Sequence, residues 1–254
     1  TNKELVPNFR GGSYNIRRKG GIRMVTIAGN GMGKYDFSNL ELNFCNYDKI
    51  ICDPNFIENG KTILKLKFKD AQDYILENFE KENILYVVTG SPLFFSAGTI
   101  IANKLPKDKV KIINNISSKT YLLEKLFVSE NDVSVVSIHG RVSIDLEEFL
   151  KKKYTFVLSD KNSIQRLNEA LSFFEKDSIS TTIGYKLAYE DEKIEEINLF
   201  DFDDKKYDLT QPFVLLIKRN FEHKNQICDD IEFETERGMI TKKYKRHLSL
   251  QNLD

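Results

Sequence analysis

Residues 84–98 read ILYVVTGSPLFFSAG. The run 84–89 is rich in β-branched and aromatic residues and is too short for a helix, so it predicts a buried strand. Gly-Ser-Pro at 90–92 marks a turn, because Gly tolerates positive φ and Pro fixes φ. An apolar run at 99–105 then predicts a helix. In open α/β sheets, ligands bind at loops of this kind, outside the carboxyl ends of strands. An ordinary strand-to-helix turn is the alternative.

The same alternation of short apolar runs and amphipathic stretches extends along the chain. In the first half it predicts a parallel sheet covered on both faces. Its strands are predicted at 23–28, 49–52, 84–89 and 110–113, with helices at 70–79, 99–105 and 119–127. In the second half, more consecutive strands predict a mixed sheet. Its strands are predicted at 133–138, 154–158, 178–183, 195–199 and 213–218, with helices at 144–150 and 163–174.

These patterns predict two α/β domains. The N-terminal domain is expected at 24–131 and the C-terminal domain at 132–222. Residues 1–23 are polar and basic without a clear period, and we interpret them as an extension or cloning remnant. Residues 223–254 are interpreted as a linker and the start of a fused partner.

Composition excludes several classes of function. The 38 basic and 38 acidic residues cancel, so no net field favours nucleic acid or an anionic membrane. The three Cys residues form no C-x-x-C pair, and the three His residues lack metal-ligand spacing. No apolar run approaches the roughly twenty residues of a membrane span, and no signal peptide opens the chain. The sequence therefore predicts a soluble cytoplasmic protein without a bound metal.

A glycine-rich loop follows the first predicted strand. Gly29-Asn30-Gly31-Met32-Gly33 brings backbone amides into a bare loop that could approach a ligand closely. A dinucleotide-binding fingerprint needs a third Gly where Lys34 stands, although Asp53 could imitate its ribose-binding acid. An NAD(P)-binding Rossmann oxidoreductase therefore stays open as an alternative.

Three segments carry a resemblance to a known family. GSPLFF at 90–95, IINNISS at 112–118 and VVSIHGR at 135–141 are similar to the tetrapyrrole (corrin/porphyrin) methylases. Within that family they most resemble the C5-methylating branch of the cobalamin pathway, and the likeness runs from about 24 to 219. The resemblance implies an S-adenosylmethionine-dependent methyltransferase that methylates C5 of cobalt-precorrin-7 (precorrin-6Y), and a homodimer. It also implies a cleft between the two domains, in which the tetrapyrrole substrate lies. A non-catalytic cofactor-binding module of the same fold is a further alternative.

The resemblance also implies site residues. The cofactor-binding candidates lie in the matched loops and are Gly29, Gly31, Gly90, Ser91, Pro92, Leu93, Ser117, Ser118 and Leu187. Capping of the following helix is the alternative role of the two serines. Arg141 is the candidate partner of the substrate's carboxylates. His139 is a weak candidate for proton transfer, with a hydrogen-bonded structural role as the alternative.

Several positions depart from the family pattern. Ser91 stands where Asp is usual, and Asn114-Asn115 replaces a Pro-Gly pair, although Asn tolerates positive φ better than most residues. Ser96 stands where Gly is common, Glu130 where Trp is frequent, and Met32 where Pro is usual. These departures are compatible with either a divergent enzyme or an inactive relative.

The C-terminal segment carries a second resemblance. RGMITKK at 237–243, with Arg246 and LSL at 248–250, resembles the opening of the pathway's C15-methylating, decarboxylating enzyme. This predicts a fused or separate partner of that activity. A charged terminal helix that docks on its own domain is the alternative.

Overall fold

A computed structural model of the chain describes residues 23–138, 149, 151–172 and 176–220. Contacts divide the chain into two compact units, one ending at Ser117 and the other beginning at Ser118. This division lies one helix before the predicted domain boundary at residue 131, and the extent of the functional domains stays a prediction. The predictions that lie outside the described residues concern His139, Arg141, the extension up to residue 22, the helix at 144–150 apart from Phe149, residues 173–175, and the segment 223–254.

The first unit contains a five-stranded parallel sheet. Its strands, in the spatial order β3-β2-β4-β1-β5, are β1 (Val25–Gly29), β2 (Lys49–Cys52), β3 (Ile63–Lys65), β4 (Ile84–Val88) and β5 (Val110–Ile113). The two central strands, β1 and β4, are buried at every position. Continuous apolar runs are typical of strands covered on both faces, so the predicted parallel sheet is confirmed.

Helices cover one face of this sheet. Helices α1 (Phe68–Asn78) and α2 (Ala97–Ala102) pack on the face that carries Ile27, Ile51 and Tyr86. The helix predicted at 99–105 spans Ala97–Ala102. It begins earlier because the Ser96 hydroxyl accepts a hydrogen bond from the amide of Gly98 and so caps its start. The Ser at position 96, noted above as a departure, is therefore a helix cap.

Two irregular segments, one after β1 and one after β2, cover the other face. Phe37, Leu40 and Phe56 pack there against Ala28 and Leu85, with other residues of the same core cluster. Phe37 stacks on Phe44 at 5.4 Å between ring centroids and lies against Phe56 at 5.7 Å. The segment between β1 and β2 is described throughout and contains a 3-10 turn at Phe44–Asn46 but no α-helix.

The second unit contains helix α3 and a mixed five-stranded sheet. Its elements are α3 (Ser118–Leu126), β6 (Val133–Ser137), β7 (Tyr154–Leu158), α4 (Ser163–Leu171), β8 (Ile179–Tyr185), β9 (Lys193–Ile197) and β10 (Phe213–Arg219). The spatial order is β6-β7-β10-β8-β9, with β6 and β7 parallel and the other pairs antiparallel. The predicted mixed sheet is confirmed. Leu167 and Leu171 of α4 pack into its core cluster with Ile183 and Leu215.

Candidate functional site

Three loops leave the carboxyl edge of the parallel sheet side by side. They follow β1, β4 and β5, which are neighbours in the order β4-β1-β5. Since the three strands are parallel, their loops meet at one edge, where ligands bind in sheets of this class. The structure thus brings together most of the candidates named from sequence. These are Gly29, Gly31, Gly90, Ser91, Pro92, Leu93 and Ser117.

The chain leaves β1 and β4 toward opposite faces of the sheet. After β1 it enters the segment that covers one face with Phe37 and Leu40. After β4 it enters α2, which packs on the other face. Neighbouring strands whose connections diverge in this way mark the place where α/β sheets bind ligands.

A pair of backbone hydrogen bonds joins the first two loops at this point. The amide of Gly90 donates to the carbonyl of Gly31 at 2.9 Å, and the amide of Gly31 donates to the carbonyl of Gly90 at 3.2 Å. Both residues have positive φ, +75° at Gly31 and +63° at Gly90. Residues with a Cβ rarely adopt this conformation, so both positions favour glycine.

The surroundings of the three glycines differ. A Cβ at Gly29 would lie 2.2 Å from the carbonyl oxygen of Gly90, and one at Gly31 would lie 2.8 Å from Oδ1 of Asn115. These two positions are glycine because the loops pack closely. A Cβ at Gly90 would have one described neighbour within 4 Å, the carbonyl oxygen of Ile116 at 3.9 Å. The bare backbone of Gly90 therefore borders space into which a ligand can fit.

Ser91 connects the β4 loop with the β5 loop. Its side chain is buried, and its hydroxyl donates to Oδ1 of Asn114 at 2.7 Å. The same hydroxyl oxygen accepts a hydrogen bond from the amide of Leu93 at 3.1 Å, which fixes the turn. The carbonyl of Pro92 accepts from Thr99 at 2.6 Å and so anchors α2, while the Leu93 side chain is largely exposed.

Asn114 and Asn115 act through their side chains and not through positive φ. Neither is among the described residues with left-handed backbone. Nδ2 of Asn115 donates to the carbonyl of Gly29 at 3.0 Å, and its Oδ1 accepts from the amide of Ile116 at 2.8 Å. Sequence reasoning treated this pair as a departure and missed its role. Two consecutive amide side chains after a predicted strand, opposite a Gly-rich loop, were the signal available.

Asn30 organises the loop after β1. Its side chain is buried, and Nδ2 donates to the carbonyls of Lys34 and Asp36 at 3.0 and 3.3 Å. Its Oδ1 is buried without a hydrogen-bond partner in the structure. An unsatisfied buried acceptor costs free energy until a donor reaches it. The loop therefore has a polar atom and bare backbone that fit a polar organic cofactor.

The remaining cofactor candidates belong to the second unit. Ser118 is the first residue of α3. Leu187 is buried, and its contact with the cofactor stays a prediction. Lys186 and Ala188 on either side of it have φ of +49° and +64°, and the carboxylate of Glu192 accepts from the amide of Ala188. Strained backbone of this kind is concentrated at functional sites.

Glu192 also fixes the Leu187 loop to α3. Burial first, and then its hydrogen bond to Glu192, raise the pKa of Tyr121 to about 12. The phenol therefore stays protonated at neutral pH and keeps its hydrogen bond to the carboxylate.

The structure argues against a nicotinamide site at the first loop. A dinucleotide-binding loop opens a helix whose N-terminus holds the pyrophosphate. Residues 30–48 are all described and contain no α-helix, so that arrangement is missing here. Asp53 follows β2, where its carboxylate accepts from the amide of Asn55 at 2.9 Å. The Rossmann alternative is therefore wrong for this loop.

The described ranges show neither a metal-binding cluster nor a membrane-spanning helix. Residues 23–138, 149, 151–172 and 176–220 contain no group of three or more His, Cys, Asp or Glu side chains arranged to hold a metal ion. In the same ranges, every helix is too short or too polar to cross a membrane.

The sequence model of the tetrapyrrole (corrin/porphyrin) methylases matches residues 46–203, more than half of the chain. The chain belongs to the tetrapyrrole methylase family. The match begins just before β2 and includes the loops after β4 and β5 as well as the loop of Leu187. The family predicted from the three sequence segments is confirmed.

Two curated relatives match part of this tetrapyrrole methylase. Myb-like protein R of Dictyostelium discoideum is 26% identical over 190 residues, which are 74% of this chain and 40% of that protein. Cobalt-precorrin-7 C(5)-methyltransferase of Salmonella typhimurium is 28% identical over 114 residues, which are 44% of this chain and 56% of that protein. The matched region thus spans about half the length of these relatives.

Solved structures share the fold of this tetrapyrrole methylase. The precorrin-6Y methylase of Archaeoglobus fulgidus has a TM-score of 0.59 at 19% identity and covers 78% of this chain and 100% of its own. Uroporphyrin-III C-methyltransferase of Thermus thermophilus, solved with S-adenosylhomocysteine, has a TM-score of 0.57 at 15% identity and covers 77% of this chain and 97% of its own. The predicted two-part α/β fold, with a parallel and a mixed sheet, is confirmed.

Proposed function

We propose that this chain transfers a methyl group from S-adenosylmethionine to a ring carbon of a tetrapyrrole. The observation that carries the proposal is the bare backbone of Gly90, which borders open space at the switch point of the parallel sheet in a chain of this family. The cofactor supplies an electrophilic methyl group on a sulfonium. The protein's own task is to bind it and fix its orientation.

The loops at the carboxyl edge are the proposed cofactor-binding residues. Gly90 allows a ligand to approach the backbone, and Ser91 and Pro92 hold the turn that follows it. Ser117, at the end of the β5 loop, is buried as well. Ser118 and Leu187 stay predicted contacts from the second unit.

The chemistry asks mainly for positioning. Methyl transfer is an in-line displacement, so fixing donor and acceptor atoms in line can supply much of the acceleration. Rigid loops achieve this without a nucleophile in the protein. The hydrogen-bonded glycine pair and the Ser91 turn provide such rigidity on the cofactor side.

The finer assignment is methylation of C5 of cobalt-precorrin-7 (precorrin-6Y). It is supported by the 28% identity to the Salmonella typhimurium enzyme of that name and by the segments at 90–95 and 135–141. In this proposal Arg141 binds a substrate carboxylate, and His139 is a weak candidate for proton transfer. The protein acts in the cytoplasm as a homodimer, with a C15-methylating, decarboxylating partner that is fused or separate.

Calorimetric titration with S-adenosylhomocysteine, run beside NAD and NADP, tests the proposal. We expect micromolar binding of the first compound and none of the nicotinamide cofactors. Gly90→Val should abolish or strongly weaken the binding of S-adenosylhomocysteine. A β-branched residue at φ +63° is strained, and its side chain enters the ligand space. Gly60→Val is the matched control, since a Cβ there meets only Ile63 atoms, the nearer at 3.6 Å.

Binding of a nicotinamide cofactor alone would overturn the proposal. Silence from all three compounds, with a folded protein, would also count against the proposal and favour a degenerate module or a fragment that needs its partner. Activity is then measured by incubating the enzyme with S-adenosylmethionine and a precorrin. A mass gain of one methyl group at C5, located by nuclear magnetic resonance, supports the finer assignment, and a gain at another carbon refutes it.

A further inference from the structure

The two amide side chains after β5 join all three loops of the carboxyl edge. Asn115 bonds to the β1 loop, and Asn114 bonds to the β4 loop. Consecutive residues therefore connect the β5 loop to both of its partners through neutral side chains. The role proposed above for Gly90 depends on where these loops stand relative to one another.

Asn115 is held from both ends of its amide. Nδ2 donates to the Gly29 carbonyl at 3.0 Å while Oδ1 accepts from the Ile116 amide at 2.8 Å. These two bonds fix the orientation of the side chain. Its Oδ1 then lies where a Cβ on Gly31 would collide with it, 2.8 Å away. The amide therefore fills the space beside Gly31 and sets the separation between the β1 and β5 loops.

Asn114 sets the position of the β4 loop. Its Oδ1 accepts from the Ser91 hydroxyl at 2.7 Å, and this leaves the hydroxyl oxygen to accept from the amide of Leu93 at 3.1 Å. The direction of the Ser91 proton is thus determined by Asn114. The chain Asn114–Ser91–Leu93 orients the turn that follows Gly90.

We propose that Asn114 and Asn115 are positioning residues, which set the spacing of the cofactor-binding loops through their side chains. The inference rests on the proposed function and names residues that contact other loops and not the reacting atoms. Loops held in the bound geometry bind ligand more tightly, because less freedom is lost on binding. Loss of either side chain should therefore weaken ligand binding more than it destabilises the fold.

Affinity for S-adenosylhomocysteine and thermal stability are measured in the same variants. We expect Asn115→Ala to weaken binding about tenfold or more, and Asn114→Ala and Ser91→Ala to weaken it by a smaller factor. Asn168→Ala is the matched control. It removes a side-chain bond to the carbonyl of Leu199 at 3.3 Å in the second unit, so affinity should not change.

Asn115→Asp separates the two bonds of that residue. A carboxylate still accepts from the Ile116 amide, but it cannot donate to the Gly29 carbonyl and repels it. The facing carbonyl disfavours the carboxylate and so raises the pKa of this Asp above its ordinary value of about 3.9. We therefore expect weak binding at about pH 8 and partial recovery toward about pH 5, as the carboxyl becomes protonated and can donate again. Asn115→Ala should show no such recovery relative to the wild-type protein. A residue that only fills space would give two variants with the same pH profile.

Amide hydrogen exchange tests the inference without any ligand. In Asn115→Ala the amides of Ile116, Gly31 and Gly90 should exchange about tenfold faster or more, while those of β10 stay unchanged. If wild-type protein binds no S-adenosylhomocysteine, the proposed function fails and the exchange data alone decide the positioning role. Unchanged exchange at Gly31 and Gly90 in Asn115→Ala overturns the inference. If the wild-type protein binds S-adenosylhomocysteine, an Asn115→Ala variant of equal affinity overturns it as well.

Discussion

The two units stabilise their loops in different ways. In the first, the bonds that join the three carboxyl-edge loops are made by neutral groups, the backbone of Gly31 and Gly90 and the side chains of Ser91, Asn114 and Asn115. In the second, many side-chain contacts are ion pairs. These include Lys119–Glu130, Arg166–Asp160, Lys186–Asp191 and Lys206–Glu195.

Left-handed backbone is distributed in the same unequal way. Among residues 23–117, the described part of the first unit, the positive-φ positions are Gly31, Gly33 and Gly90, with Phe95 as the exception. The second unit has Phe127, Lys186 and Ala188 there. Glycine gives these angles without strain, whereas other residues adopt them at a cost of about 1–2 kcal/mol. The bonds that join the carboxyl-edge loops are thus neutral and Gly31 and Gly90 adopt positive φ without strain, whereas Lys186 and Ala188 of the second unit adopt it at a cost.

The largest effect is expected from a methyl group between the first two loops. Gly29→Ala places a Cβ 2.2 Å from the Gly90 carbonyl oxygen, so a strand or a loop must move. We expect a loss of about 3 kcal/mol in the free energy of unfolding, measured with denaturant. Gly60→Ala, where the nearest atom would be 3.6 Å away, should change stability by about 0.5 kcal/mol or less. Equal stability of the two variants would show that the loops do not pack as described.

A smaller effect, of opposite sign, is expected at the end of α3. Phe127 has φ +53° and is 97% exposed, while the next amide, of Val128, donates to the Leu123 carbonyl at 3.0 Å. This is the position where helices usually end in glycine. Phe127→Gly should be about 1 kcal/mol more stable than Phe127→Ala, because both lose the exposed ring and only one relieves the strain. A more stable Ala variant in thermal unfolding would refute the strain.

The smallest effect concerns the ion pair of α3. Hydrogen bonds from Lys119 first, and then from Thr120, lower the pKa of Glu130 below its ordinary 4.5. A carboxylate with a lowered pKa stabilises the fold above its unfolded pKa, and the contribution is lost as pH falls through the folded pKa. With a side chain 51% exposed, Glu130→Gln should cost about 0.5 kcal/mol or less at neutral pH.

That difference should shrink in acid and in high salt, since exposed pairs are screened. Glu41→Gln, at an exposed carboxylate of the first unit, serves as the control for a change of charge. Stability against pH and salt is measured for all three proteins. A Glu130→Gln deficit that persists below about pH 3 would contradict the role of the ion pair.

The sequence predicted the central strands and the class of each sheet well. Continuous apolar runs such as Ile84–Val88 are distinctive, because a strand buried on both faces has no polar alternation. The sequence also predicted the loop after β4, because Gly90 and Pro92 are residues typical of turns. Strand β3 was missed, because its three residues are only partly buried and carry no pattern.

Other features depended on contacts that no local pattern encodes. The aromatic residues that cover one face of the sheet, Phe37, Phe44 and Phe56, follow no helical or strand period. The bonds of Asn114 and Asn115 depend on loops that are distant in sequence. A short polar residue in a loop is equally typical of a turn, so its bonding partners become visible only in three dimensions.

The bond from Asn115 to Gly29 joins residues 86 positions apart in the chain. Contacts of such long range form late in folding, because the intervening segments must first lose their freedom. During synthesis, the β1 loop leaves the ribosome well before its partner in the β5 loop exists. We therefore expect a nascent chain to gain affinity for its ligand only after Asn115 has emerged. The ligand then stabilises the completely folded first unit and none of its earlier stages.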